Sequence, residues 1–152
     1  MTATYDMYRR ITALPKGDWL FSTLFGRKAP YFRTIKMRVR SVEPHRAELM
    51  LPKRKAVHNH IGTVHAIAVC NGLEAAMGLL AEATVPDDAR WLPKGMDVRY
   101  LAKSTTDLVC TATTTPEDWA QAPDVPVTVR ATRADGTVVV EGTIHLWVTP
   151  KS

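Results

Sequence analysis

Residues 64–84, VHAIAVCNGLEAAMGLLAEAT, are the one long helical candidate in this chain. Val64, Ile67, Val69, Cys70, Leu73, Met77, Leu79 and Leu80 fall all round a helical wheel, and Ala and Gly fill most of what remains. A helix that is apolar on every side is expected to be buried on every side. Gly72, Ala75, Ala76 and Gly78 present almost no side chain. Each mid-helix glycine costs about 1 kcal/mol relative to alanine, so another layer must pack very close there. Asn71, Glu74 and Glu82 interrupt the apolar run and argue against a membrane span.

The segments around this helix read as strands. Ile35, Met37 and Val39 alternate with Lys36, Arg38 and Arg40, so residues 31–53 predict a hairpin turning at Glu43-Pro44-His45. Residues 86–93 read as a loop, followed by strands over 96–102, 108–115, 125–133 and 138–148. Asp135-Gly136 predicts a type I′ turn between the last two. Before the hairpin, residues 5–28 predict two short covering helices broken at Pro15-Lys16-Gly17, with Asp18 as N-cap of the second. Two strands, a buried helix and four strands make an α+β chain whose antiparallel sheet curls round the helix. At 152 residues this is one domain, residues 1–152, with no internal repeat or linker.

A content of 45% hydrophobic and 23% charged residues excludes a disordered or collagenous chain. Twenty Lys and Arg against 15 Asp and Glu give a formal charge of +5, which suits nucleic acid, acidic lipid or a phosphate-bearing small molecule. Lys53-Arg54-Lys55 is short and lacks interleaved aromatics, which makes nucleic acid a weak choice. Cys70 and Cys110 lie 40 residues apart without a CxxC spacing and read as two buried, reduced thiols. With no secretory signal pattern at the N-terminus, the expected location is the cytoplasm.

Chemistry concentrates in residues 58–74, HNHIGTVHAIAVCNGLE. An uncompensated carboxylate inside a buried helix costs several kcal/mol, so Glu74 needs a partner or a task. Desolvation would lift its pKa toward the range of a general base; a salt bridge to Arg99, or a place at a dimer seam, would satisfy it instead. His65 and Ala66 stand at the helix N-terminus, where free N–H groups and the helix dipole can stabilise a developing oxyanion. Glu74 follows His65 by nine residues, which puts them on opposite sides of the helix and ~13 Å apart along it. If both serve one site, a symmetric dimer is the natural way to unite them. His58, His60 and His65 lack the supporting cluster or HExxH spacing of a zinc site, so no metal is expected. No GxSxG, P-loop or GxGxxG is present.

Asn59, Gly62, His65 and Glu74 resemble the signature of the hotdog-fold acyl-CoA thioesterases of the phenylacetate-degradation type. The wording VHNHIGTVHA before an Ala-rich helix is most similar to a branch of that superfamily labelled a domain of unknown function. The resemblance spans residues 30–148 and leaves 1–29 as a helical extension. It implies a hotdog fold, a homodimer that can pair again to a tetramer, no cofactor, and a site shared across the dimer. Glu74 would be general base or nucleophile, Asn59 would position water or carboxylate, the Ala66 N–H would polarise the thioester carbonyl, and His65 would shape the loop. His58, Gly62 and Ile67 would border the substrate. Lys53, Arg54, Lys55, Arg90, Lys94, Arg99 and Lys103 would be the candidates for the CoA phosphates, with neither nucleic acid nor membrane as partner. The family's Gly-Gly after the histidine is Ala66-Ile67 here, which narrows the approach. Other readings are a hydratase or dehydratase on the same fold, a non-catalytic acyl-thioester binding module, and a purely structural dimer.

Overall fold

The computed structural model describes residues 2–151. Helices α1 (Ala3–Thr12) and α2 (Gly17–Lys28) meet at a turn so tight that a Cβ on Gly17 would lie 2.0 Å from the Ile11 carbonyl oxygen. Lys16, with φ 59°, is the N-cap of α2; Asp18 does not cap it but lies in the first turn, where a carboxylate favours the helix dipole. The expected strand alternation begins late. Pro30 starts a 3₁₀ turn through Ile35, because its fixed φ suits a first helical position, and Lys36 in a left-handed conformation turns the chain outward. Strands β1 (Arg38–Glu43) and β2 (Arg46–Leu51) then form the hairpin, while Ile35 and Met37 still reach the core.

Helix α3 (Ala66–Thr84) is followed by β3 (Ala89–Tyr100), β4 (Leu108–Thr113), β5 (Asp124–Arg133) and β6 (Val138–Pro150). The sheet runs β1-β2-β4-β5-β6-β3, with every neighbouring pair antiparallel. The order of elements and the single helix wrapped by a sheet are as the sequence predicts. On α3, Leu73, Met77, Leu79 and Leu80 meet Leu49, Leu51, Leu108, Ile144 and Leu146 from the sheet, all fully buried. Each such side chain contributes about 1.5–3 kcal/mol by leaving water. By length and composition α3 could cross a membrane, yet 67% of it is buried inside this fold.

The close layer expected at the helical glycines is present. A Cβ on Gly72 would lie 2.8 Å from the Cys110 Sγ of β4, and one on Gly78 would lie 3.4 Å from the Trp91 ring of β3. The helix is not sealed on every side, however. Ile67 is 56% exposed, and Cys70 and Glu74 are half-buried, so positions i, i+3 and i+7 form an open stripe along its N-terminal half.

Three further expectations change. Strand β3 starts at Ala89, inside the supposed 86–93 loop, and carries Pro93 at a bulge between Pro93 and Gly95. An edge strand tolerates proline because one side of its ladder is unpaired. At Asp135-Gly136 only Gly136 has positive φ, 83°, so the hairpin is not type I′, which needs both central residues left-handed. The strand expected over 108–115 ends at Thr113, and Thr115 instead caps a short helix, α4 (Pro116–Trp119), set by a capping box between Thr115 and Asp118.

Candidate active site

The loop before α3 is built by its own side chains. His58 and Val64 pair as an isolated bridge, and Asn59 closes the turn between them. The Asn59 side-chain oxygen accepts from the N–H groups of Ile61 (3.2 Å) and Thr63 (3.1 Å), and its amide donates to Thr63 Oγ1 (2.8 Å). With its carbonyl doubly used, Asn59 organises the loop, and among the described residues it makes no hydrogen bond to Glu74 of its own chain. Gly62 sits at φ 77°, a conformation that would strain any residue with a Cβ. Two backbone bonds pin the far end, Val64 N–H to Ser104 O at 2.9 Å and His65 N–H to Val57 O at 2.8 Å.

His65 is the N-cap of α3, with φ −62° and ψ 137°, and its Nδ1 accepts the Ile67 N–H at 3.1 Å. This bond requires a neutral ring with its proton on Nε2. Among the described residues no acceptor takes the Ala66 or Ala68 N–H. The helix start therefore offers two free donors at the positive end of the dipole.

Glu74 makes no hydrogen bond or ion pair among the described residues. Arg99 does not pair with it, because Arg99 lies opposite Glu141 on the outward face of β3. Cys70, one turn before Glu74, is only half-buried, contrary to the expected buried thiol; its Sγ lies 3.7 Å from the Tyr100 hydroxyl. That contact raises the Tyr100 pKa. Met96, Val98 and Tyr100 face α3 from β3, pairing across the ladder with Ile144, Gly142 and Val140. An unpaired carboxylate thus lies on a stripe with apolar neighbours, and the unpaired edge of β3 runs beside it.

A family pattern described as a domain of unknown function, DUF4442, matches residues 17–148. The chain belongs to the DUF4442 family. The match begins at Gly17 and so takes in α2, which the sequence resemblance left outside. A crystal structure of a genomics target is 37% identical over 97% of this chain and 99% of that one, with a TM-score of 0.87. A Pseudomonas aeruginosa protein of unknown function, described as a probable thioesterase, aligns at 20% identity over 91% and 97% of the two chains, TM-score 0.75. A thioesterase family protein from Silicibacter pomeroyi aligns at 22% over 86% and 96%, TM-score 0.71. No curated protein matches. The DUF4442 chain therefore has the hotdog fold of these thioesterase-family structures.

The basic residues expected around a CoA do not converge in this DUF4442 chain. Lys53 is held through its backbone N–H by Asp107, Lys55 is exposed in a 3₁₀ turn, and Arg90 donates to Thr149 Oγ1 at 3.3 Å. Lys94 pairs with Asp124 at 2.8 Å and covers the Trp147 ring, and Lys103 is exposed. Arg54 donates to the Thr34 carbonyl, leaving its Nε buried and without a partner. His58 Nε2 is also buried and unpartnered, and His60 is exposed. Among the described residues no three His, Cys, Asp or Glu side chains gather as a metal would need. Sequence reasoning did not single out Met96, Val98 and Tyr100, although the alternation Met96-Asp97-Val98-Arg99-Tyr100 within the predicted strand sets them on one face. It also missed Asn71, buried and bonded through Nδ2 to Thr34 Oγ1 at 3.3 Å.

Proposed function

We propose that this protein hydrolyses an acyl-CoA or related thioester at a site completed by a second copy of the chain. One observation carries the reading: a partnerless Glu74 on an open, largely apolar stripe and free amides at the start of the same helix. Ala66 and Glu74 are eight residues and ~12 Å apart along one helix, too far to meet on one thioester carbon, so the carboxylate of one protomer serves the helix start of its partner. Pairing along the open edge of β3, twelve residues long, supplies the symmetric contact; an unpaired strand of that length otherwise invites aggregation. Two free thiols fit a reducing compartment such as the cytoplasm.

In the reaction, the thioester carbonyl accepts the Ala66 N–H, and negative charge grows on its oxygen as water adds. Glu74 takes the proton from that water and returns it to the departing thiolate as the C–S bond breaks. Direct attack by the carboxylate, forming an anhydride that water then opens, uses the same placement. His65 and Asn59 hold the loop and cap; Ile67, beside the donors, narrows the space for the acyl group.

Free-thiol release from a panel of acyl-CoAs tests the reading. Glu74→Ala is expected to lower kcat by at least ~100-fold with the fold intact by circular dichroism. Unchanged rates would exclude the mechanism. Tight acyl-CoA binding without turnover in the unaltered protein would favour a binding module instead, and Ile67, standing where the signature of the thioesterases it resembles has glycine, is the observation that favours it.

A further inference from the structure

A concavity lies away from the open stripe, with none of Ile67, Cys70 and Glu74 in its lining. A cavity of about 740 Å³ is walled by α2, the 3₁₀ turn after it, the start of β1 and the segment following β2. Five cations line it, Arg27, Arg33, Lys36, Arg38 and Arg54, and no carboxylate does. Among the described residues none of the five is in an ion pair. Without these five, Lys and Arg would only equal the Asp and Glu of the whole chain, so the basic excess of the sequence is gathered here.

Like charges collected round a concave wall repel one another unless an anion joins them. The wall is also built to hold them. A Cβ on Gly26 would lie 3.0 Å from Arg33 Cγ, so the bare glycine lets Arg33 lie against α2. The buried Arg54 Nε has no acceptor, although the same guanidinium is anchored on Thr34. Trp19, 62% exposed, adds a flat ring to the lining, beside Phe32 and Pro30. Guanidinium groups bind phosphate oxygens through paired donors, and an exposed indole stacks on a planar base. Thr34 connects this wall to the helix: its hydroxyl accepts from Asn71, one turn and ~4.5 Å of rise before Glu74.

We propose that this cavity binds the phosphorylated nucleotide end of the thioester's carrier, with Arg27 and Arg33 on the phosphates and Trp19 on the base. The carrier assignment rests on the hydrolysis reading; the binding of a nucleotide bearing more than one phosphate does not. The volume falls within the ~300–1,000 Å³ of small-molecule sites, and a recess suits such a ligand better than a flat membrane surface does.

Calorimetric titration with adenosine 3′,5′-bisphosphate tests the site, using the unaltered protein, Arg27→Glu/Arg33→Glu and Trp19→Ala. Both arginines are exposed and unpaired, and circular dichroism checks the fold of each variant. Binding to the unaltered protein, weakened at least ~10-fold by the double reversal and also reduced by Trp19→Ala, is the expected result. The double reversal should also raise KM for butanoyl-CoA at least ~10-fold more than KM for the butanoyl thioester of N-acetylcysteamine, which lacks the nucleotide. Bisphosphate binding of this pattern without any thioesterase activity would support the site and sink the hydrolysis reading. Hydrolysis of both thioesters with no bisphosphate binding would overturn the site and leave the hydrolysis reading standing. Sedimentation with phosphatidylserine vesicles that depends on Arg27 and Arg33, without bisphosphate binding, would overturn it in favour of a membrane surface.

Discussion

At the scale of single residues, Ala66 offers an unusually clean test of the oxyanion donor. It is the first residue of α3, a position where proline is welcome because its missing N–H is otherwise unused. The preceding residue must be extended for a proline to follow, and His65 already is, at φ −62° and ψ 137°. Ala66→Pro therefore deletes one N–H and leaves the helix, and kcat is expected to fall ~100–1,000-fold at unchanged thermal stability. Cys110 supplies a pH test of the core. Burial pushes its thiol from 9.0 up to about 12, so above pH 9 the unfolded chain releases a proton that the folded chain keeps. This contribution to stability is complete below pH 9 and is lost as pH rises toward 12. By pH 10 it costs about 1 kcal/mol, and urea midpoints measured between pH 8 and 10 should fall less steeply in Cys110→Ala. The sequence marked Glu74 through the cost of a carboxylate among apolar neighbours. It could not show that the neighbours on one side were missing, because a helical wheel does not say where the sheet ends.

Among the elements, α3 was the most legible, since apolarity all round admits few solutions other than a central position. Its glycines carried quantitative content as well. A Cβ at Gly72 meets Cys110 Sγ at 2.8 Å, so Gly72→Ala is expected to destabilise by about 1–3 kcal/mol despite the gain in helix propensity. Removing the sulfur should restore most of the loss, so thermal melts of Gly72→Ala, Cys110→Ala and the double variant form a cycle with favourable coupling. Strand β3 was only half legible. Pro93 and Gly95 look like a loop until the strand is known to be an edge, where a proline and a bulge cost no ladder. The 3₁₀ turn at Pro30–Ile35 hid in the same way, because Ile35 stays buried whether the backbone is extended or coiled. Thr115-Pro116-Glu117-Asp118 carried a usable signal for α4, a capping residue followed three positions later by its reciprocal partner.

For the whole molecule, the sign of the charge was legible from composition but its place was not. Of the basic residues nearest the motif in sequence only Arg54 joins the cavity; the others scatter over the surface, while Arg27, Arg33, Lys36 and Arg38 converge, since α2 packs on β1. Shared construction of the site is the other whole-molecule claim, and it has a strict test. Glu74→Ala and Ala66→Pro homodimers are each expected to be inactive, with both sites damaged. In a mixed dimer with cross-chain sites, one site collects both lesions and the other collects neither. Random pairing makes half the dimers mixed, so co-refolded variants should recover about a quarter of the unaltered activity. If Glu74 and Ala66 acted within one chain, each site in the mixed dimer would keep one lesion and no activity would return. Thiol release from the purified mixed dimer, isolated by two different affinity tags, separates these outcomes without reference to any substrate preference.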